Sequence, residues 1–293
     1  MEITRINKFI SIVEKFYREN KRGMPWRSDT NAYYVVVSEI MLQQTQVHRV
    51  TSKFDSWIKR FPNWHALATA STKDVLEEWS GLGYNRRALF LKRIAEAITD
   101  NGKTKGVLPN TIDELTKLPG IGPNTAGSIL AFAFNVPRPF IETNIRSVYI
   151  HHFFAEIEKV EGKKACKKID DKEIFPLVEK SLTLVTKKGF FKDNTREWYW
   201  ALMDYGSFLK KNLPNPSRQS AHHVKQKAFK GSNRELRSKI LKLIMKQAST
   251  REMVEKQLKK ESYKCTRGRI GTNLDALVRE GFIMSNINVY RII

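Results

Sequence analysis

Two glutamates, Glu39 and Glu142, stand in surroundings different enough to divide a pair of chemical tasks between them. Glu39 precedes Ile40 in the stretch 34–61, where Val36, Ile40, Val47, Val50, Phe54, Trp57 and Ile58 recur at helical spacing. It therefore sits at the margin of an apolar stripe, where partial desolvation raises a carboxyl pKa and helps it keep a proton. Glu142 follows the apolar run FAFNVPRPFI and opens another helical pattern, and a helix N-terminus favours the ionised form. One protonated and one ionised carboxyl suit the hydrolysis of a glycosidic bond. The acid protonates the leaving group, and the anion stabilises the cationic sugar. Taken alone, each could also be a solvated surface residue, the ordinary fate of glutamate.

The elements that must hold this pair are helical. One long or two consecutive amphipathic helices are predicted over 34–61, and further helical periodicity marks 64–70, 75–79, 86–97, 112–118, 125–134, 144–154 and 198–209. Alternating strand-like runs are almost absent before residue 280, so residues 1–209 are expected to form an all-α domain. Between Leu209 and Lys246 eleven basic side chains face one acid, Glu235. The first part of that stretch, with Pro214, Pro216, Gly231 and three serines, predicts an irregular basic linker over 210–234. His222 and His223 fall in it and fit solvated phosphate contacts better than a metal site, since no third ligand is evident.

Residues 235–293 change character. A helix (ELRSKILKLIMK), a short helix after a Ser249-Thr250 cap (REMVEKQL), a third helix (RIGTNLDALVREG) and an extended pair around 282–283 and 289–290, turning near 285–288, resemble a winged helix. Its third helix, over 272–279, could enter a major groove. A protein-interaction module is the alternative.

Composition excludes several classes. At 293 residues with 41% hydrophobic and 11% aromatic content, the chain has material for a full core and a second small domain rather than a disordered or fibrous one. No stretch approaches the roughly 18 apolar residues of a membrane span, and the first helical pattern carries acids where a signal peptide would not. A cytoplasmic protein is expected, in a bacterial or archaeal nucleoid if nucleic acid is its partner. The 52 Lys and Arg against 30 Asp and Glu, a formal charge of +22, make a polyanion the natural partner, with a merely basic surface as the alternative. Two distant cysteines, Cys166 and Cys265, without a CxxC or Cys/His cluster, assemble neither a zinc site nor an iron-sulfur cluster, and a cytoplasmic disulfide is not expected.

Three motifs add specificity. LPGIGPNTAGSILAFAF (118–134) places Gly120 and Gly122 in a hairpin-sized turn between helices, where backbone amides approach a phosphate closely. It resembles the helix-hairpin-helix element of the family that includes endonuclease III and MutY. PWRSDTNAYYVVVSEIMLQQTQV (25–47), WSGLGYNRRALFL (79–91) and FIETNIRSVYI (140–150) are similar to the catalytic domain of MutY-type adenine glycosylases over roughly residues 5–209. The resemblance implies two helical lobes and a DNA glycosylase of base-excision repair. Glu39 matches the general acid. Glu142 stands where the family typically carries aspartate, and the extra methylene could move the carboxylate by about 1 Å. Asn144 matches a residue near the sugar, or serves as a helix cap. Asn124 replaces the lysine nucleophile of bifunctional relatives, so lyase activity should be weak or absent.

Chemistry on a stacked base requires that the base be flipped out. By resemblance, Gln43, Gln44 and Thr45 enter the duplex near the orphan base, and Leu82 and Tyr84 contact the opposite strand. Gly120, Gly122 and Thr125 of the hairpin, with Lys210, Lys211 and Arg218, meet the DNA backbone. Trp26, Arg27, Leu42, Asn124 and Trp200 line the base pocket, although Trp26 could be core. Trp200 departs from the polar Glu or Gln of adenine-specific relatives, because an indole cannot accept a hydrogen bond. The segment ALMDYGSFLKKNLPNPSRQSAHH keeps the family's helix and loses every cysteine ligand, so no iron-sulfur cluster is expected. A monovalent cation on the hairpin carbonyls is the remaining cofactor that the resemblance offers. A winged helix is expected in place of the domain with which relatives read 8-oxoguanine. The chain is thus expected to act, as a monomer, on double-stranded DNA with a mismatch or lesion, releasing adenine opposite 8-oxoguanine or guanine. Thymine or uracil opposite guanine, another damaged base, and an inactive DNA-binding regulator are the alternatives.

Overall fold

The computed structural model describes residues 2–99, 106–154, 168–226 and 228–293. In chain order the elements are α1 (Glu2–Asn20), α2 (Pro25–Ser28), α3 (Ala32–Leu42), α4 (Val47–Arg60), α5 (Trp64–Thr69), α6 (Thr72–Glu78), α7 (Arg86–Thr99), α8 (Ile112–Leu115), α9 (Pro123–Phe134) and α10 (Thr143–Phe153). There follow α11 (Asp171–Lys187), α12 (Thr195–Asn212), a 3-10 turn (Pro216–Gln219), α13 (Asn233–Lys246), β1 (Ser249–Thr250), α14 (Arg251–Lys260), α15 (Arg267–Arg279), β2 (Ile283–Asn286) and β3 (Val289–Ile292). They form two compact units, residues 1–39 with 109–225 and residues 40–108 with 226–293. The two-helix alternative for 34–61 is the one found, because Gln44 turns the chain through a left-handed φ of 54° between α3 and α4. No helix of the described residues is long and apolar enough to cross a membrane.

In the first unit, α1 buries Ile6, Phe9, Val13 and Tyr17, one stripe of a 3.6-residue period, against α11 and α12. Each such burial stabilises by roughly 1.5–3 kcal/mol. The Phe9 ring lies 5.1 Å from Tyr149, 5.2 Å from Phe153 and 6.0 Å from Trp198, which ties α1 to α10 and α12. Helix α11 starts at a capping box: the Asp170 side chain accepts from backbone N–H groups of the first turn, and the Glu173 side chain accepts from the Asp170 N–H. The stretch after α12 is less linker-like than its composition implies. Lys210 and Lys211 belong to the last turn of α12, and the 3-10 turn buries Pro216 and Ser217 against α10. Ser220 bridges to Ile169. Helices α10 and α12 approach so closely that a Cβ on Gly206 would stand 2.4 Å from the Asn144 carbonyl oxygen. The glycine is what lets α12 press against the start of α10.

The second unit combines two parts of the chain. In residues 40–108, α5 and α6 pack on α7, and the Trp57 and Trp79 rings meet edge to face at 5.5 Å. In residues 233–293, α13, α14 and α15 bury Leu236, Ile240, Leu241, Ile244, Val254, Leu258, Ile270, Leu274 and Leu277. The wing is an antiparallel sheet of order β1-β3-β2, so the expected hairpin carries a third strand. β1 is two residues long, and Thr250 both pairs with Val289 and caps α14. The hairpin turns at Ile287 and Asn288, both with positive φ, the twist a tight two-residue turn needs. The third helix starts at Arg267, two residues before the RIGTNLDALVREG stretch, because Thr266 caps it.

Replacing Gly206 by alanine should lower stability by about 1–3 kcal/mol through overpacking; urea unfolding of the two proteins measures the difference.

Candidate active site

Helix α3 presents Glu39 to helix α9, where its Oε2 lies 2.5 Å from the Ser128 hydroxyl. Burial pushes the Glu39 carboxyl up to about 7; the Ser128 hydrogen bond opposes the shift, Glu142 adds to it and Arg27 opposes it. Desolvation thus outweighs the hydrogen bond, and the group carries a proton through the acid range and up to neutrality. Cys265 lies between α14 and α15, and Cys166 is outside the described residues. Among the described residues no group of three or more His, Cys, Asp or Glu is placed to hold a metal ion.

Glu142 is fixed in another way. It is the N-cap of α10, and its Oε1 accepts from the N–H groups of Asn144 (2.8 Å) and Ile145 (3.1 Å). The Asn144 side-chain amide donates to Oε2 at 3.3 Å. Three N–H groups thus converge on one carboxyl at the positive end of a helix. The cap is therefore Glu142 and not Asn144, which orients the carboxylate instead. Asn124, exposed near the start of α9, accepts from the Ile141 N–H at 3.4 Å and so reaches the extended segment that leads into Glu142. Lys210 is partly buried rather than free on the surface; desolvation lowers its pKa, Glu142 opposes, and Arg22 adds to the lowering. It belongs beside the Glu142 carboxylate. Lys211 and Arg218 are exposed, as backbone contacts would be.

The expected pocket residues are held by a buried ion cluster. Arg27 donates from both terminal nitrogens to Asp204, each at 2.9 Å, and Arg22 donates from Nε to the same carboxylate at 2.8 Å. Asp204 is 2% exposed. The guanidinium of Arg27 lies 5.3 Å from the Trp200 ring centroid, and Trp200 stacks at 20° on Phe132. Trp26 and Trp200 are each 7% exposed, so both face inward. Leu42 is half-buried at the end of α3.

In the second unit Arg87 organises the two loops read as duplex-contacting. Its Nη1 donates to the carbonyls of Ile40 and Met41 (both 2.9 Å) and of Gln43. Its Nη2 donates to the Thr45 hydroxyl (2.9 Å) and to the carbonyls of Leu82 (3.3 Å) and Gly83 (2.9 Å). Gln43, Gln44 and Thr45 lie partly or fully exposed in this arrangement, and Tyr84 has a positive φ of 49°. Leu82 is different: at 3% exposure its side chain is core, and it supports the loop instead of meeting DNA. Arg234 donates to the Tyr84 hydroxyl at 2.9 Å, and Gln226 donates to the same oxygen. A groove of about 1320 Å³ opens beside these loops, lined by Gln43, Gln44, Tyr84, Arg234, Lys242 and Lys246 among others. Neither glutamate of the first unit lines it. In the hairpin, Gly120 has φ +79° and Gly122 caps α9, both exposed, with Thr125 half-buried behind them.

Sequence reasoning missed Ser128, Arg87 and Asp204. The last two had a legible signal, since each is a charge at a helical position otherwise filled by the buried stripe: Arg87 with Leu91, Ile94 and Ile98, Asp204 with Ala201 and Tyr205. A charge there must be paired or hydrogen-bonded.

A family model described as HhH-GPD superfamily base excision DNA repair protein matches residues 37–179. An adenine DNA glycosylase of Buchnera aphidicola subsp. Baizongia pistaciae is 33% identical over 207 residues, 71% of this chain and 54% of that protein. One of Mycobacterium tuberculosis is 40% identical over 134 residues, 45% of this chain and 43% of that protein. The chain spans about half the length of the curated relatives it matches. A solved thermostable thymine-DNA glycosylase shares the fold at a TM-score of 0.57 and 22% identity, over 70% of this chain and 87% of that one.

Two outcomes follow from the buried charges. Asp204→Ala strips the anion from two arginines and should cost about 3–5 kcal/mol in urea unfolding. Because the folded carboxyl of Glu39 titrates near 7 instead of 4.5, the folded state holds more protons than the unfolded one between those values. Stability therefore falls as pH rises through that window and is level above it. Glu39→Gln should remove this slope, gaining on the order of 3 kcal/mol over the parent at pH 8 and nothing at pH 4, as measured by unfolding at a series of pH values.

Proposed function

We propose that this chain, which belongs to the HhH-GPD superfamily of base excision DNA repair proteins, is a monofunctional DNA glycosylase that releases a mispaired base from duplex DNA. The observation that carries the reading is a pair of carboxyls held in different ways in one unit: Glu39, whose proton affinity desolvation raises, and Glu142, fixed by three N–H donors. Glu39 gives its proton to the departing base as the C1′–N bond breaks and the electron pair leaves with the base. Glu142 stabilises the positive charge that develops on the sugar. Water then adds to C1′, and the proton it gives up restores Glu39. With Asn124 in place of an amine, no covalent attachment to the sugar is assigned to the hairpin, so the strand stays intact.

Adenine opposite 8-oxoguanine or guanine is the substrate favoured by the similarity to adenine DNA glycosylases. A pyrimidine opposite guanine is the second reading, and Trp200 favours it, since a buried indole offers a purine no acceptor. The positively charged chain takes the DNA as its partner through the loops at Gln43–Gln44 and Tyr84 and the exposed glycines of the hairpin, with phosphates neutralised by Lys and Arg. A four-iron cluster takes four thiolates and the chain has two cysteines, so its donors do not fit one.

Single-turnover incubation with labelled duplexes carrying A opposite 8-oxoguanine, G, A or C, or T or U opposite G, should give breaks only after alkali. Glu39→Gln should lower the rate by at least about 100-fold without loss of duplex binding, and the parent rate should fall as pH rises through 7. Equal activity of the variant, or no release from any duplex, overturns the reading.

A further inference from the structure

Ser128 faces two acceptors with one proton. Its Oγ lies 2.5 Å from Glu39 Oε2 and 2.9 Å from the Thr125 carbonyl oxygen, and a hydroxyl has a single hydrogen to donate. Both contacts are satisfied together only when Glu39 is protonated: the carboxyl O–H donates to Ser128, and Ser128 donates to Thr125. When Glu39 is ionised, the hydroxyl turns and donates to the carboxylate, and Thr125 gives up its side-chain partner. Ser128 is 3% exposed, so no water substitutes freely at that position.

We propose that Ser128 is a positioning residue that serves Glu39 in both protonation states, holding the same oxygen while its own proton switches between Thr125 and the carboxylate. This rests on the reading of Glu39 as an acid and deepens it. An acid withdrawn from water must leave behind an anion in a place hostile to charge. A hydroxyl that can become a donor at that moment stabilises the anion by a charge-assisted bond, so the proton is released more readily than from the same site without it. The switch moves one hydrogen and no heavy atom, which keeps the carboxyl aimed before and after transfer. Glu142 and Arg27 are the other charged groups that bear on Glu39, the first raising and the second lowering its proton affinity.

The test is the titration of Glu39 followed by NMR on protein labelled at the glutamate carboxyl carbons, with the Glu39 signal assigned from Glu39→Gln. In the 293-residue chain the midpoint near 7 should move up by about one pH unit in Ser128→Ala, and Ser128→Thr, which keeps the hydroxyl, should return it. Any base release should show its alkaline limb displaced in the same direction and be about tenfold slower at neutral pH. An unchanged or lowered midpoint in Ser128→Ala, or a slower reaction with an undisplaced limb, overturns the proposal. Because the titration needs no substrate, it judges Ser128 even if no duplex is cleaved, whereas the duplex panel alone judges the glycosylase reading.

Discussion

The partial withdrawal of one carboxyl from water is the constraint around which the first unit is arranged. Removing Glu39 from solvent penalises its anion more than the Ser128 hydrogen bond recovers, and a full positive charge alongside would undo that balance. Arg27 is such a charge. It does not overwhelm the balance because Asp204 takes both of its terminal nitrogens. The ion cluster is thus an electrostatic buffer as well as a strut: the guanidinium is stiff enough to back Trp200 and neutral enough, together with its partner, to leave Glu39 an acid.

The second unit solves a related problem without a counter-ion. Arg87 is buried among carbonyls and a hydroxyl, and burial lowers its pKa to about 10 while leaving it charged at neutral pH. A guanidinium has five donors in a planar fork, and here the two terminal nitrogens face six acceptors drawn from the end of α3 and the two loops. Lysine has neither the geometry nor the reach for this. The loops at Gln43–Thr45 and Leu82–Tyr84 are therefore one rigid object, and the C-terminal part of the same unit adds to it through Arg234 and Gln226 on Tyr84 and through Glu280, which pairs with both Arg86 and Arg237.

Much of this was legible in the sequence, and the parts that were not share a cause. Glu39 and Glu142 can be singled out because each sits at the edge of an apolar run, and the elements of residues 235–293 because three amphipathic stretches precede an extended pair. Helix α11 escaped notice although its apolar residues are regularly spaced, because its start is set by the capping box at Asp170, a contact between side chain and backbone that periodicity does not register. β1 is too short for any alternation to appear. Leu82 was assigned to the duplex by resemblance and is core, since a loop with two glycines and a left-handed tyrosine still needs one anchor. Ser128 gave no signal at all: a small residue inside AGSIL reads as helix packing, and only the approach of α3 turns its hydroxyl into a partner.

The capping role of Glu142 has a consequence for what the site can bind. A carboxyl tied by three N–H groups has little freedom to move, so in the proposed reaction it would already be oriented toward the sugar and would add little reorganisation energy to the barrier. The same tether fixes its reach. The side chain folds back on its own helix and gains no extra length away from it. If the chain is the glycosylase proposed above, the deoxyribose has to be carried to this carboxyl, and selection would act through how far the DNA backbone can be bent and rotated to make that delivery, favouring a weakly stacked lesion over a well-paired base.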